Sequence, residues 1–171
     1  MYLSEAKQRF IELWGTLGAE WGINRTMAQI HALLLVSAEP LSTDEVLEEL
    51  GISRGNANMN LRELVGWGLV SRQLKQGERK EFFAAQKDVW QMAQRIAAER
   101  RKRELDPMMR CLEELLRNTS AKAGEENELK RFTKLVGDIH SLGKKGNILL
   151  EMLLKLDQTT FFKPLLRVFK L

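Results

Sequence analysis

The sequence predicts a mainly α-helical protein with a small β-hairpin wing, arranged as a winged helix-turn-helix domain plus flanking dimerisation helices. Three observations predict this class. Two short amphipathic segments meet at Gly51, strand-like residues flank Gly77, and apolar residues with helical spacing fill the chain on either side. A helix-turn-helix followed at once by a hairpin is the element order of a winged helix. We expect residues 1–87 to form the N-terminal helix and the winged domain, and residues 88–171 to form a helical dimerisation region.

The composition is that of an ordinary globular protein. The chain has 171 residues, 44% of them hydrophobic and 29% charged, with a net charge of +4 that weakly favours an anionic partner. A single cysteine, Cys111, excludes an internal disulfide, and the two distant histidines form no ligand cluster, so we expect no metal and no cofactor. The absence of a signal peptide and of any long apolar run predicts a cytoplasmic protein with no membrane association.

Two helices are predicted before the turn. From Leu3 to Trp21, apolar residues recur at helical spacing in the row Phe10, Trp14, Leu17 and Trp21. We expect Thr26 to cap the next helix, because the apolar segment 27–37 follows it directly. This segment is apolar enough to be buried on most sides and should form the core, with His31 as a core histidine.

Local signals mark the two helices of the turn. Pro40 ends the core helix, and Ser42 with Glu45 has the spacing of a capping box. Gly51 lies where the first helix needs a left-handed residue to stop, and Ser53 is placed to cap the second helix. The residues of the second helix predicted to face inward are Ala57, Leu61, Leu64 and Val65.

The second helix contains three asparagines within five residues. Asparagine is unfavourable inside a helix because its amide competes for backbone hydrogen bonds, so helix stability does not explain Asn56, Asn58 and Asn60. A helical wheel places Asn56 and Arg62 opposite the inward residues and puts the other two asparagines on the flanks. Amides can pair with adenine edges and arginines with guanine in the major groove, which predicts a DNA-reading helix. The alternative is that the asparagines bond to nearby backbone and the helix faces solvent.

A hairpin with a basic tip is predicted after this helix. Strand-like residues 69–74 and 81–85 flank the turn at Gly77, and the tip carries Lys75, Arg79 and Lys80. From Ser53 to Phe83 there are six basic and three acidic residues, whereas the preceding segment TDEVLEEL contains four carboxylates. Positive charge is therefore concentrated on the second helix and the hairpin, as binding to duplex DNA requires.

The remainder of the chain reads as helical. Periodicity resumes after Asp88, and Asp106-Pro107 predicts a kink or a restart. Beyond residues 118–127 we expect two or three further helices, with breaks near SLGKKGN and LDQTT. The basic run ERRKR, residues 99–103, fits either a phosphate contact or a solvated helix face.

The tryptophans are candidates for a ligand site. The rings of Trp14, Trp21 and Trp90 could enclose a quaternary ammonium cation by cation–π attraction, or they could belong to the core or to a dimer interface. The sequence has no nucleophile motif, no glycine-rich phosphate loop and no catalytic pair, which predicts that the protein is not an enzyme.

The run SRGNANMNLREL, with WGLV and GERKEFFAAQKDVWQMAQRI after it, resembles the GbsR/MarR-type winged-helix transcriptional regulators. The resemblance implies homodimeric repressors that bind double-stranded DNA, some of them responsive to choline or glycine betaine. It assigns as reading-helix and wing positions Ser53, Arg54, Asn56, Asn58, Asn60, Arg62, Arg79 and Lys80. Two-fold symmetry would then predict a pseudo-palindromic operator. The competing hypothesis is a protein–protein interaction module on the same scaffold, without DNA binding.

Overall fold

The structure is a computed structural model that describes residues 1–155, and it divides into two compact units, residues 1–95 and a second unit beginning at Ile96. The first unit contains α1 (Leu3–Glu20), α2 (Arg25–Val36), β1 (Leu41–Ser42), α3 (Thr43–Leu50), α4 (Arg54–Gly66), β2 (Val70–Leu74) and β3 (Glu81–Ala85). The division falls inside α5 (Val89–Arg100), and the second unit continues with α6 (Asp106–Asn118) and α7 (Glu126–Lys155). The sequence places the domain boundary after residue 87. The mostly helical fold with a small sheet confirms the predicted class.

The core of the first unit is built around α2. Its residues Met27, Ile30 and Leu34 are almost completely buried, as its apolar sequence predicts. Helix α1 comes very close to it at Gly18, where an added Cβ would lie 2.6 Å from the Cβ of Ala28. The predicted cap at Thr26 is wrong, because Asn24 occupies that position and accepts a hydrogen bond from the backbone N–H of Met27 at 3.1 Å.

The predicted helix-turn-helix is confirmed in its local details. Ser42 and Glu45 form the capping box at the start of α3, with the Ser42 backbone N–H donating to the Glu45 carboxylate at 2.7 Å. Gly51 ends α3 with φ of 63°, a conformation that costs glycine little. Ser53 then caps α4.

The wing is a three-stranded antiparallel sheet in the order β1-β3-β2. The predicted hairpin is confirmed as β2 and β3, with Gly77 in the turn between them at φ of 85°. Strand β1 was not predicted from the sequence. It has only two residues, and it exists because Leu41 pairs with Phe83 and Ser42 with Phe82.

The second unit contains a change of helical winding and one long helix. A π-helical turn, Arg101–Leu105, leads into α6, which starts at Asp106 with Pro107 in its first turn, so the predicted restart is confirmed. The expected break near SLGKKGN is wrong, because α7 runs through it. A Cβ on Gly143 would lie 2.6 Å from the Met109 sulfur, so this glycine lets α6 approach α7 closely. The expected break near LDQTT lies outside the described residues.

The basic run at residues 99–103 is largely ion-paired within the second unit. Arg100 pairs with Glu104 at 3.0 Å, and Arg101 pairs with Glu151 at 3.0 Å. These contacts fit the charged helix face that the sequence allowed. Among residues 1–155, no helix is both long enough and apolar enough to cross a membrane.

Candidate nucleic-acid interface

The candidate interface consists of α4, the hairpin of β2 and β3, and the N-terminus of α3. All six basic side chains that the sequence placed on the reading helix and the hairpin are exposed, namely Arg54, Arg62, Arg72, Lys75, Arg79 and Lys80. Most of the residues that hold α4 against the core are apolar, with Ala57, Leu61 and Leu64 buried. The helix therefore presents a polar face to solvent, and its cationic side chains are available to a partner.

Ser53 fixes where the reading helix begins. Its hydroxyl oxygen accepts a hydrogen bond from the backbone N–H of Asn56 at 3.3 Å, which satisfies one of the free donors of the first turn. The remaining N–H groups of this turn and the partial positive charge of the helix N-terminus favour an anion such as phosphate. Ser53 itself stays exposed.

Asn60 does not lie on the reading face. Its side chain has 0% exposure, and its Nδ2 donates to the carbonyl oxygen of Asn56 at 2.9 Å and to Asn56 Oδ1 at 2.7 Å. A side chain without exposed surface cannot reach a base edge, so the predicted DNA contact of Asn60 is contradicted. The sequence held a signal for this, since Asn60 follows Ala57 by three residues and precedes Leu64 by four, which is the spacing of the inward row.

The other two asparagines are half-buried and differ in their contacts. The side-chain oxygen of Asn56 is held by Asn60, which fixes the orientation of its amide group at the surface. The oxygen of Asn58 accepts a long hydrogen bond of 3.5 Å from the Thr43 hydroxyl, linking α4 to α3. Asn56 thus has the more rigidly oriented amide of the two.

Asp44 connects the reading helix to the wing. This residue of α3 forms ion pairs with Arg54 at the start of α4 and, at 3.2 Å, with Lys80 of the hairpin. Hydrogen bonds first from Lys80 and then from Arg54 lower the pKa of the Asp44 carboxyl group below its usual value. Asp44 carries no local sequence signal for this role, because its partners lie 10 and 36 residues further along the chain.

The remaining cations of the interface fall into two groups. Arg72 is paired across the hairpin with Glu81 at 2.9 Å, and the Lys75 ammonium lies 4.0 Å from the centre of the Phe82 ring. Within residues 1–155, Arg62 and Arg79 form no ion pair. Arg62 borders a recess of about 290 Å³ between α4 and the wing. Of the two arginines of α4, Arg54 is paired with Asp44, whereas Arg62 can bind a partner without first breaking an ion pair among the described residues.

The three tryptophans of the predicted ligand site differ in their exposure and contacts. Trp14 is half-buried, stacks on Phe10 with ring centres 5.5 Å apart, and lies 6.3 Å from the ring of His31. His31 is a core residue as predicted, and burial lowers its pKa to about 4. Trp21 is 54% exposed, whereas Trp90 is half-buried. The Trp14 ring is thus engaged by core aromatics, and Trp21 offers the more accessible indole.

The described residues define a winged helix-turn-helix with a cationic surface on α4 and the hairpin. The family model described as MarR family matches residues 21–81, which run from the end of α1 to the start of β3. A solved structure described as a crystal structure of a transcriptional regulator is similar over 82% of this chain and 95% of that chain, with a TM-score of 0.51 and 20% identity. At this identity the likeness concerns the fold. No curated protein matches the sequence. Residues 21–81 are therefore similar to the MarR family, and neither likeness extends to the GbsR subtype.

Proposed function

We propose that the protein is a DNA-binding transcriptional regulator of the MarR type, which acts as a homodimer and represses transcription by occupying a pseudo-palindromic operator. The observation that carries the proposal is the joint placement of α4 and the hairpin. Arg54 and Lys80 share one carboxylate, so the start of the reading helix and the wing form one continuous cationic surface. A surface of this kind suits a duplex, with α4 in the major groove and the wing on adjacent phosphates or in the minor groove.

Arg62 and Asn56 are the proposed base-contacting residues. Arg62 is exposed and forms no ion pair among residues 1–155, so it can form the bidentate contact with guanine that dominates direct readout. The oriented amide of Asn56 has the chemistry for adenine. Arg54, Arg79 and Lys80 are assigned to phosphates, because their positions at the helix start and in the hairpin suit backbone contacts.

The proposal of a homodimer is supported by the surface of α7. Five of its exposed apolar side chains follow a heptad pattern, in which the first four are three, four and three residues apart and the fifth lies seven residues further on, as in a coiled-coil seam. Their exposed fractions lie between 39% and 73%, and the residues are Phe132, Leu135, Ile139, Leu142 and Leu149. A second copy of the chain would cover this seam. Two-fold symmetry would then place the half-sites about 34 Å apart along the DNA.

A groove in the first unit supports a response to a quaternary ammonium compound. It has a volume of about 630 Å³ and lies among α1, α2 and α3. Ile11, Leu33 and Val36 contribute apolar surface, and its charged lining consists of Glu12, Glu45 and Glu49 against Lys7, a net negative charge. A cation with apolar substituents matches both properties. Such a ligand would change DNA binding only to the extent that it binds one arrangement of the reading helices more tightly than another.

The proposed function is tested by fluorescence anisotropy with random and selected duplexes at two salt concentrations. We expect tight, salt-sensitive and sequence-selective binding. Replacing Arg62 with alanine should weaken operator binding by about 1–3 kcal/mol and relax selectivity at one base position. The matched control is Arg117→Ala, which removes an exposed arginine of α6 and should leave operator binding unchanged.

The competing function is a protein–protein interaction module. It predicts that a folded, dimeric protein shows no binding to any duplex at low salt, because its polar face would be complementary to another protein. Release of counterions gives DNA binding a steep salt slope that such a partner need not produce. Absence of duplex binding would therefore reject the regulator and favour the module.

A further inference from the structure

We propose that Asp44 acts as an internal substitute for DNA phosphate, competing with every duplex for the cations of Arg54 and Lys80. The inference rests on the proposed DNA-binding function and adds a residue that limits its strength. Binding to DNA then requires that two internal ion pairs be exchanged for contacts with phosphate. Asp44 would thereby set the affinity for all duplexes without reading their sequence.

The geometry of the Asp44 carboxylate supports this role. Its Oδ1 accepts from Arg54 and its Oδ2 lies 3.2 Å from the Lys80 ammonium, so each oxygen serves a cation from a different element. A phosphate group lying between a reading helix and a wing would offer its oxygens to the same two side chains. Asp44 is therefore an anion located between two cations that are both assigned to the DNA backbone.

The exposure of the three side chains makes the exchange feasible. The exposed fraction is 39% for Asp44, 64% for Arg54 and 62% for Lys80, so water reaches both ion pairs. Exposed ion pairs contribute little to protein stability, and they can be broken without unfolding. A duplex can therefore displace Asp44 from both cations. The two ion pairs still lower the affinity of these cations for phosphate, because they must be broken first.

Asp44→Asn is the direct test, because asparagine keeps the shape of the side chain and removes its charge. Loss of two exposed ion pairs should tighten binding to random and selected duplexes alike by about 2- to 30-fold. The slope of log K against log salt should change by no more than about 0.9, because Arg54 and Lys80 contact phosphate in both complexes and the two proteins differ by one charge. Selectivity between the duplexes should stay unchanged, because no base contact is altered. In a Lys80→Ala background the gain should shrink, since only Arg54 is then released.

Glu48→Gln is the matched control. Glu48 lies on the same helix, is exposed, and forms no ion pair among the described residues, so its replacement removes the same charge without releasing a cation. It should tighten duplex binding by less than half as much as Asp44→Asn. An equal change in both variants would show that net charge alone is responsible and would overturn the inference.

Two further outcomes separate this inference from the proposed function. If Arg62→Ala loses operator binding while Asp44→Asn leaves affinity unchanged or weakens it, the regulator stands and the inference is overturned, because Asp44 would then only position the cations. If the unmodified protein binds no duplex at low salt, the proposed function fails and the inference fails with it. Circular dichroism and thermal melting confirm that each variant is folded.

Discussion

Replacement of Asn60 by alanine distinguishes a structural asparagine from one that reads DNA. The variant loses two hydrogen bonds, both donated by the buried Nδ2 to Asn56. At about 0.5–1.5 kcal/mol for each bond, the free energy of unfolding should fall by about 1–3 kcal/mol. The truncation also leaves a small cavity, which adds to the loss. Asn60 Oδ1 has no hydrogen-bond partner within the described residues, so removing it relieves a desolvation penalty and offsets part of that cost.

The expected net loss of about 2 kcal/mol is measured by denaturant unfolding at one fixed protein concentration, with the midpoint and the slope both recorded. For a chain of this size it corresponds to a melting temperature lower by about 4–8 °C. The matched control is Asn58→Ala, which removes a half-buried amide with one long contact of 3.5 Å. This control should cost less than about 1 kcal/mol.

Either of two results would refute a structural role for the Asn60 side chain. An Asn60→Ala variant as stable as Asn58→Ala would show that the buried amide contributes nothing to folding. A fully stable Asn60→Ala variant that loses operator selectivity, as Arg62→Ala is expected to do, would place Asn60 at a base edge.

Three further predictions concern the core and the seam of α7. Because burial holds the pKa of His31 near 4, the folded chain takes up this proton only below that pH, whereas the unfolded chain takes it up below 6.5. Stability should fall by up to about 3 kcal/mol as the pH drops from 6.5 to 4, and a His31→Leu variant should show a flatter curve of unfolding free energy against pH. Gly18→Ala should lower the free energy of unfolding by about 1–3 kcal/mol, because its Cβ would meet the Ala28 Cβ at 2.6 Å. Gly15→Ala meets the flexible side chains of Gln29 and Arg25 and should cost less in the same denaturant assay. Leu142→Glu places a charge in the exposed seam and should convert a dimer to a monomer in light scattering, while Lys144→Glu on the same helix should not.

The helix-turn-helix was predictable because its signals are local. The capping box of Ser42 and Glu45 needs residues only three positions apart, and Gly51 and Ser53 act on the helix ends next to them. Hydrogen bonds of this kind form wherever the sequence permits a helix. The hairpin followed from the same logic, since the turn at Gly77 joins strands that are adjacent in the chain.

The parts that sequence reasoning missed depend on contacts between distant residues. The role of Asp44 requires Lys80 to fold back onto α3, and no spacing rule predicts that approach. Helix α7 passes through Gly143 because Met109 of α6 packs there, which outweighs the low helix propensity of glycine. Asn60 is different, because its inward position was available from the helical wheel. Its amide chemistry suggests a contact with DNA, but its spacing from Ala57 and Leu64 indicates the core, and the spacing is the correct guide.

Strand β1 has a consequence for how the chain folds during synthesis. Leu41 and Ser42 pair with Phe83 and Phe82, about forty residues later, and Ser42 also caps α3. Strand β1, which leads into the first helix of the turn, is therefore paired only when β3 has left the ribosome. Contacts over such sequence separations form late, since the entropy cost of closing a long loop must be met before the contacts contribute any stabilising free energy. A nascent chain that ends before Glu81 would lack the central strand of its sheet, so the hairpin is an integral part of the fold and cannot be removed from it as a separate appendage.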